Sequence, residues 1–145
     1  MAEPPDTQQV DAPPPNAEAT GVGAGTVPDV ERVIALIRAH RYRYVDELEF
    51  HTGIDQVLRA AGIDTRREVV LAPSDRIDFL LPGGLGIEVK LAGAPGDVLR
   101  QLRRYATSPD VTGLLLVTTR IRHVRGLPTV LGDTPLHALL LRGGL

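Results

Sequence analysis

The stretch over 76–90, R-I-D-F-L-L-P-G-G-L-G-I-E-V-K, constrains the fold more than any other part of this chain. Two apolar runs flank Pro82-Gly83-Gly84, and short strands separated by such a turn form a hairpin. In the second run Leu85, Ile87, Val89 and Leu91 alternate with Gly86, Glu88 and Lys90. That is the period of two at which side chains point to opposite faces, so Glu88 and Lys90 share one face. In the first run Ile77, Phe79 and Leu81 take the apolar face and Arg76, Asp78 and Leu80 the other.

A three-residue turn pairs Leu81 with Leu85. Counting back places Asp78 opposite Glu88 and Arg76 opposite Lys90, and a one-residue slip would scatter the apolar side chains over both faces. Directly opposed residues have Cβ atoms about 5 Å apart, so two facing carboxylates repel and raise each other's pKa unless a cation lies between them. Oxygen ligands of this kind suit Mg²⁺, Mn²⁺ or Ca²⁺. An ammonium beside them can polarise a phosphate or position a water. Lys90 is the single lysine beside 15 arginines, which points to a need for a compact ammonium at that place.

Asp78, nine residues, then Glu88-Val89-Lys90 resembles the signature of the PD-(D/E)XK nucleases, the restriction-endonuclease-like superfamily. Ile77 stands where the family's proline usually stands. The resemblance covers about residues 45–118. It implies an α/β fold with an α-β-β-β-α-β core and a mixed sheet flanked by helices. It further implies a Mg²⁺ (or Mn²⁺) ion held by Asp78, Glu88 and the carbonyl of Val89, with Lys90 orienting the attacking water or neutralising developing charge. An acidic residue on the preceding helix commonly completes such a site; Glu47 fits best and Glu49 is the alternative. Gln101 and Tyr105, spaced Q-x-x-x-Y behind the lysine, resemble a motif of the RecB-like and λ-exonuclease branches that supports the site or contacts DNA. DNA is the implied substrate, and small nucleases of this kind often form homodimers.

Composition sets the frame. The chain has 145 residues and a net charge of −2, which suits one domain. Residues 1–28 hold six prolines and read as a disordered acidic tail, because such a segment buries too little apolar surface to order itself. It lacks the basic start and apolar run of a secretory signal. The single domain is expected over 29–145. Residues 1–31 carry six acids and no Lys or Arg, leaving 16 basic and 12 acidic residues beyond them. A mildly basic body is compatible with nucleic acid, and equally with ordinary solvated charge. There is no cysteine, which excludes disulfides, cysteine–zinc sites and thiol nucleophiles. No stretch approaches the roughly 20 apolar residues of a membrane span. The reading is a soluble cytoplasmic protein with no membrane partner.

Along the chain, Pro28 and Asp29 start a helix over 29–40 with an apolar stripe of Val30, Val33, Ile34 and Ile37. In Arg41-Tyr42-Arg43-Tyr44 the tyrosines are read as packing on the core edge with solvated arginines; the alternative is phosphate contact and base stacking. A second helix covers 45–61, with a kink allowed at Gly53. On it His51 is read as a packing or surface residue rather than a ligand. A short strand spans 68–72, and Pro73-Ser74-Asp75 form a turn, which leaves Asp78 as the preferred ligand over Asp75. A helix over 97–106, capped by Asp97, turns Val98, Leu102 and Tyr105 inward; Arg100, Arg103 and Arg104 make it basic and suited to phosphate contact. The run over 113–118 is a buried strand, parallel to the Lys90 strand because a helix intervenes. Arg120, Arg122, His123 and Arg125 form a basic loop, with His123 a weak candidate for a base. Residues 135–141 form a last, edge strand.

Three functions are compatible with these residues. The first is a metal-dependent deoxyribonuclease. The second is a catalytically inactive nucleic-acid-binding or assembly protein with the same fold. The third is a small α/β domain whose hairpin charges are merely solvated.

Overall fold

The hairpin forms with the expected turn. Leu81 N–H donates to the Leu85 carbonyl at 2.9 Å and Gly84 N–H to the Leu81 carbonyl at 3.0 Å. Gly83 and Gly84 have φ of 85° and 94°, a left-handed region open to residues without a Cβ. The structure, a computed structural model, describes residues 26–142. The acidic tail lies outside the described residues up to position 25.

Six strands build a mixed sheet among the described residues: β1 (Arg66–Ala72), β2 (Asp75–Leu80), β3 (Leu85–Lys90), β4 (Gly113–Thr118), β5 (Val130–Leu131) and β6 (Thr134–Leu140). Their order across the sheet is β1-β2-β3-β4-β6-β5. β1, β2 and β3 are antiparallel neighbours, whereas β3, β4 and β6 run parallel, as helical crossovers require. Helices α1 (Val30–Ala39) and α2 (Glu47–Ala60) cover one face. There Phe50, Ile54 and Leu58 pack on Phe79, Ile87, Val89 and Val117. Helix α3 (Pro95–Ala106) covers the other, where Val98, Leu102 and Tyr105 pack on Ile77, Leu80, Leu114 and Leu116. The fully apolar run of β4 follows from this, since both its faces are covered. No helix among the described residues is long and apolar enough to cross a membrane.

Several local expectations are corrected. β1 begins at Arg66, two residues early, and Asp75 is the first residue of β2 rather than part of the turn. Helix α3 starts at Pro95 with Ala94 as its N-cap and no side-chain capping bond; proline at the first helical position has no N–H to leave orphaned. The basic loop contains a short helix, α4 (Ile121–Val124). β6 is covered on its outer side only at its start, where the two-residue β5 pairs with Thr134 and Pro135. Gly53 has a steric reason to be glycine: a Cβ there would lie 2.9 Å from the Tyr42 ring.

Candidate functional site

β2 and β3 part company at the two acids. Backbone pairing joins Phe79 to Ile87 and Leu80 to Gly86. At the next step, where the same count sets Asp78 against Glu88, side chains replace backbone carbonyls. Val89 N–H donates to Asp78 Oδ2 at 2.7 Å and Asp78 N–H donates to Glu88 Oε2 at 3.3 Å. The expected pairing of Arg76 with Lys90 lies beyond this point and does not form a ladder. On the opposite side of β2, Glu68 sits at the break between the Arg67–Phe79 and Val69–Ile77 pairs, with φ 51°.

Asp78 therefore stands at a point where β2 is irregular toward both neighbours, and the strand turns over there. Phe79 and Leu81 face α2 as expected, but Ile77 crosses to the α3 side with Leu80. This corrects the simple alternation. Gly86 makes the crossing possible, because a Cβ on it would come within 2.5 Å of Ile77 Cδ1.

Around the acids the structure gathers three more groups. Lys90 Nζ lies 3.1 Å from Glu88 Oε1, on the shared face that alternation requires. Helix α2 supplies Glu47 and His51. Its start is fixed by Asp46, whose carboxylate accepts the Glu49 N–H at 2.8 Å, while Glu49 accepts the Val45 N–H at 2.9 Å. This is a variant of the reciprocal capping box. Glu49 is thereby engaged at the helix start, and Glu47 is the acid that reaches the site. His51 Nε2 lies 3.6 Å from Glu47 Oε1 and 3.5 Å from Asp78 Oδ2. The candidate ligand atoms of Glu47, His51 and Asp78 all fall within 4.8 Å of one another.

His51, read from the sequence as a packing or surface residue, is buried. Its ring rests against Phe79 at a centroid distance of 5.9 Å, as packing requires. Yet Nε2 is buried with no hydrogen-bond partner, a costly condition for a polar atom. The available signal was the i, i+4 spacing of Glu47 and His51, which sets both on one helix face.

Charge in the site is unbalanced. Glu88 is 2% exposed, and burial, then the neighbouring Asp78, push its carboxyl up to about 8 against the pull of Lys90. Burial also raises Asp78, more than the Val89 N–H, His51 and Lys90 lower it. Carboxylate oxygens and an imidazole nitrogen are donor types that a divalent cation takes, and those that lie within 4.8 Å of one another are from Glu47, His51 and Asp78, without Glu88.

Of the other candidate residues, Tyr105 and Val89 adjoin the acids and the rest lie apart. Tyr105 is fully buried, and its hydroxyl donates to the Arg76 carbonyl at 2.8 Å. It braces the start of β2 from beneath. Burial, followed by the nearby Glu88 and Asp78 carboxylates, raises its pKa. Gln101, one turn earlier on α3, is half-buried and takes no part in that bond. Arg104 is held by Asp75 at 2.9 Å and Arg100 by Asp97, so both guanidiniums already have carboxylate partners. Val89 donates its N–H to Asp78, which leaves its carbonyl, the expected ligand, untouched by that bond. His123 is not a base in open solvent: it is 2% exposed, its Nε2 donates to the Gly93 carbonyl at 2.8 Å, and its Nδ1 lies 2.9 Å from Thr118 Oγ1. It clasps the loop that follows Lys90. No known protein family, curated protein or solved structure matches this chain.

Proposed function

We infer that the chain is a metal-dependent nuclease of the PD-(D/E)XK type, hydrolysing DNA phosphodiester bonds, and that its fold is the restriction-endonuclease-like arrangement. One observation carries this reading. A buried carboxylate, Glu88, and a partly buried one, Asp78, are tied together through backbone N–H groups beside a single ammonium, while a buried nitrogen of His51 points at Asp78 without a partner. Protein groups alone leave that arrangement short of positive charge.

Asp78 and Glu88 would hold a divalent ion, with Glu47 and His51 bounding it on the α2 side. Mg²⁺ and Mn²⁺ both suit carboxylate oxygens, and the imidazole favours Mn²⁺. When bound, such an ion lowers the pKa of a water and offsets charge on the phosphate. The protein's own groups do the rest. Lys90, steadied by Glu88 at 3.1 Å, offers its ammonium to the attacking water or to the developing negative charge. Glu47 has a side chain about half exposed, free to accept a hydrogen bond from a water on the solvent side. The clasp of His123 on Gly93 and Thr118 fixes the backbone just beyond Lys90.

The test is to incubate the full chain with supercoiled, linear and branched DNA in Mg²⁺, in Mn²⁺ and in EDTA. Metal-dependent cleavage that Lys90→Ala abolishes supports the nuclease. Binding of every DNA without cleavage of any supports the inactive nucleic-acid-binding protein.

A further inference from the structure

We propose that the groove between the α1–α2 link and the end of β6 is the path of the DNA strand away from the scissile phosphate, with Arg38, Arg41, Arg43 and Arg142 as its phosphate contacts. The proposal rests on the nuclease reading, and adds to it the part of the surface that the substrate occupies.

The groove has a volume of about 1170 Å³, larger than the roughly 300–1,000 Å³ of small-molecule sites. All four arginines line it, and all four are exposed. Arg59, Arg100 and Arg104 are each paired with an acid. These four have no carboxylate within 4.0 Å among the described residues. The carboxylate that lines the groove, Glu49, is engaged with the Val45 N–H. Four guanidiniums against one carboxylate leave this concave surface net positive, which concentrates anions, and guanidiniums distributed along it suit a chain of phosphates better than one anion.

The link is built to present them. Residues 41–44 alternate exposed and half-buried. Tyr42 donates its hydroxyl to the Ile37 carbonyl at 2.9 Å and stands edge-on to Phe50 at 4.9 Å, and Tyr44 rests on Phe50 at 4.6 Å. The tyrosines are anchors, which leaves Arg41 and Arg43 on the outer side of a braced segment. The groove also borders the elements that carry the acids of the site, although none of Glu47, Asp78 and Glu88 lines it. It is lined by Thr119, the residue after Thr118, which is the ladder partner of Lys90. It is lined too by Glu49 and Phe50, which lie on α2 between Glu47 and His51.

The experiment measures binding of labelled single-stranded and duplex DNA in EDTA, over a salt series, for the wild type and for a variant with all four arginines changed to Gln. Each lost phosphate contact lowers the slope of log affinity against log salt by about 0.7 for a single strand and about 0.9 for a duplex. The four-Gln variant is expected to lose about three units of slope and at least about tenfold in affinity. It should keep the wild-type thermal midpoint and Mn²⁺ affinity. The four-Lys variant should retain most of the slope, and Arg59→Gln with Arg66→Gln should change neither quantity. A four-Gln variant that binds like the wild type overturns the groove and leaves the nuclease reading standing. A wild type that binds no DNA at any salt also overturns the groove. Binding that depends on the four arginines, without cleavage in any metal, keeps the groove and removes the nuclease.

Discussion

The carboxylate of Asp78 accepts the backbone N–H of Val89 at 2.7 Å, taking the place of a strand carbonyl. That bond has two separable components: an acceptor for a buried N–H, and a negative charge. Asp78→Asn keeps the acceptor and removes the charge, so the fold should hold near wild-type stability while divalent-ion binding is lost. Asp78→Ala removes both and leaves the N–H unsatisfied, at a cost of about 1–3 kcal/mol. Urea melts and Mn²⁺ calorimetry on the two variants check this. Equal stability of the pair would show that the bond does not hold the strands as described.

Glu88 gives the metal-free protein a pH dependence of definite sign. Its carboxyl is pushed from 4.5 to about 8 in the fold, so the folded chain keeps a proton that the unfolded chain has released. Stability is then highest below about pH 5 and declines toward about pH 8, by up to about 1.4 kcal/mol per pH unit. Asp78 is raised as well and acts in the same direction. Denaturant midpoints in EDTA should fall across this window, and Glu88→Gln should remove most of the fall. A wild-type profile that is flat, or that rises with pH, contradicts the buried-acid picture.

His51 Nε2 faces Asp78 and Glu47 with no hydrogen bond of its own. His51→Ala should weaken Mn²⁺ binding by at least about tenfold, because imidazole is a ligand that Mn²⁺ accepts more readily than Mg²⁺. Binding of Mg²⁺ should change less. Calorimetric titration with each ion makes the comparison, and an unaltered Mn²⁺ affinity would return His51 to a packing role.

Lys90 should serve catalysis and not ion binding. Lys90→Ala is expected to lower cleavage by roughly 10²- to 10³-fold, the usual loss of one positioned donor at a reacting oxygen, and to retain Mn²⁺. Lys90→Arg should not restore the rate, since a planar guanidinium does not replace a compact ammonium. Single-turnover cleavage assays decide, and full activity in Lys90→Ala would remove the assigned role.

Much of this site was legible in the sequence because β2 and β3 are adjacent and joined by a tight turn. Turn length fixed the count that sets Asp78 against Glu88, and alternation set Glu88 and Lys90 on one face. The same alternation failed at Ile77, because the strand turns over at Asp78, and a period of two carries no information about where a ladder breaks. His51 packs on Phe79 as the packing reading has it, but its nearness to Asp78 was not legible. Its burial and its nitrogen's direction depend on how α2 docks over β2, a contact between elements that no local pattern encodes. Arg100 and Arg104 looked free on a basic helix until the fold brought Asp75 to one of them and the helix's own Asp97 to the other.

The most direct measurement is a crystal of the full chain soaked in Mn²⁺ and examined by anomalous scattering. The account predicts a peak against the Asp78 carboxylate, bounded by Glu88 on one side and by His51 Nε2 on the other, with ligand distances of about 2.0–2.5 Å. A protein that cuts DNA with no ion at Asp78, or an ion bound only elsewhere on the surface, would contradict it.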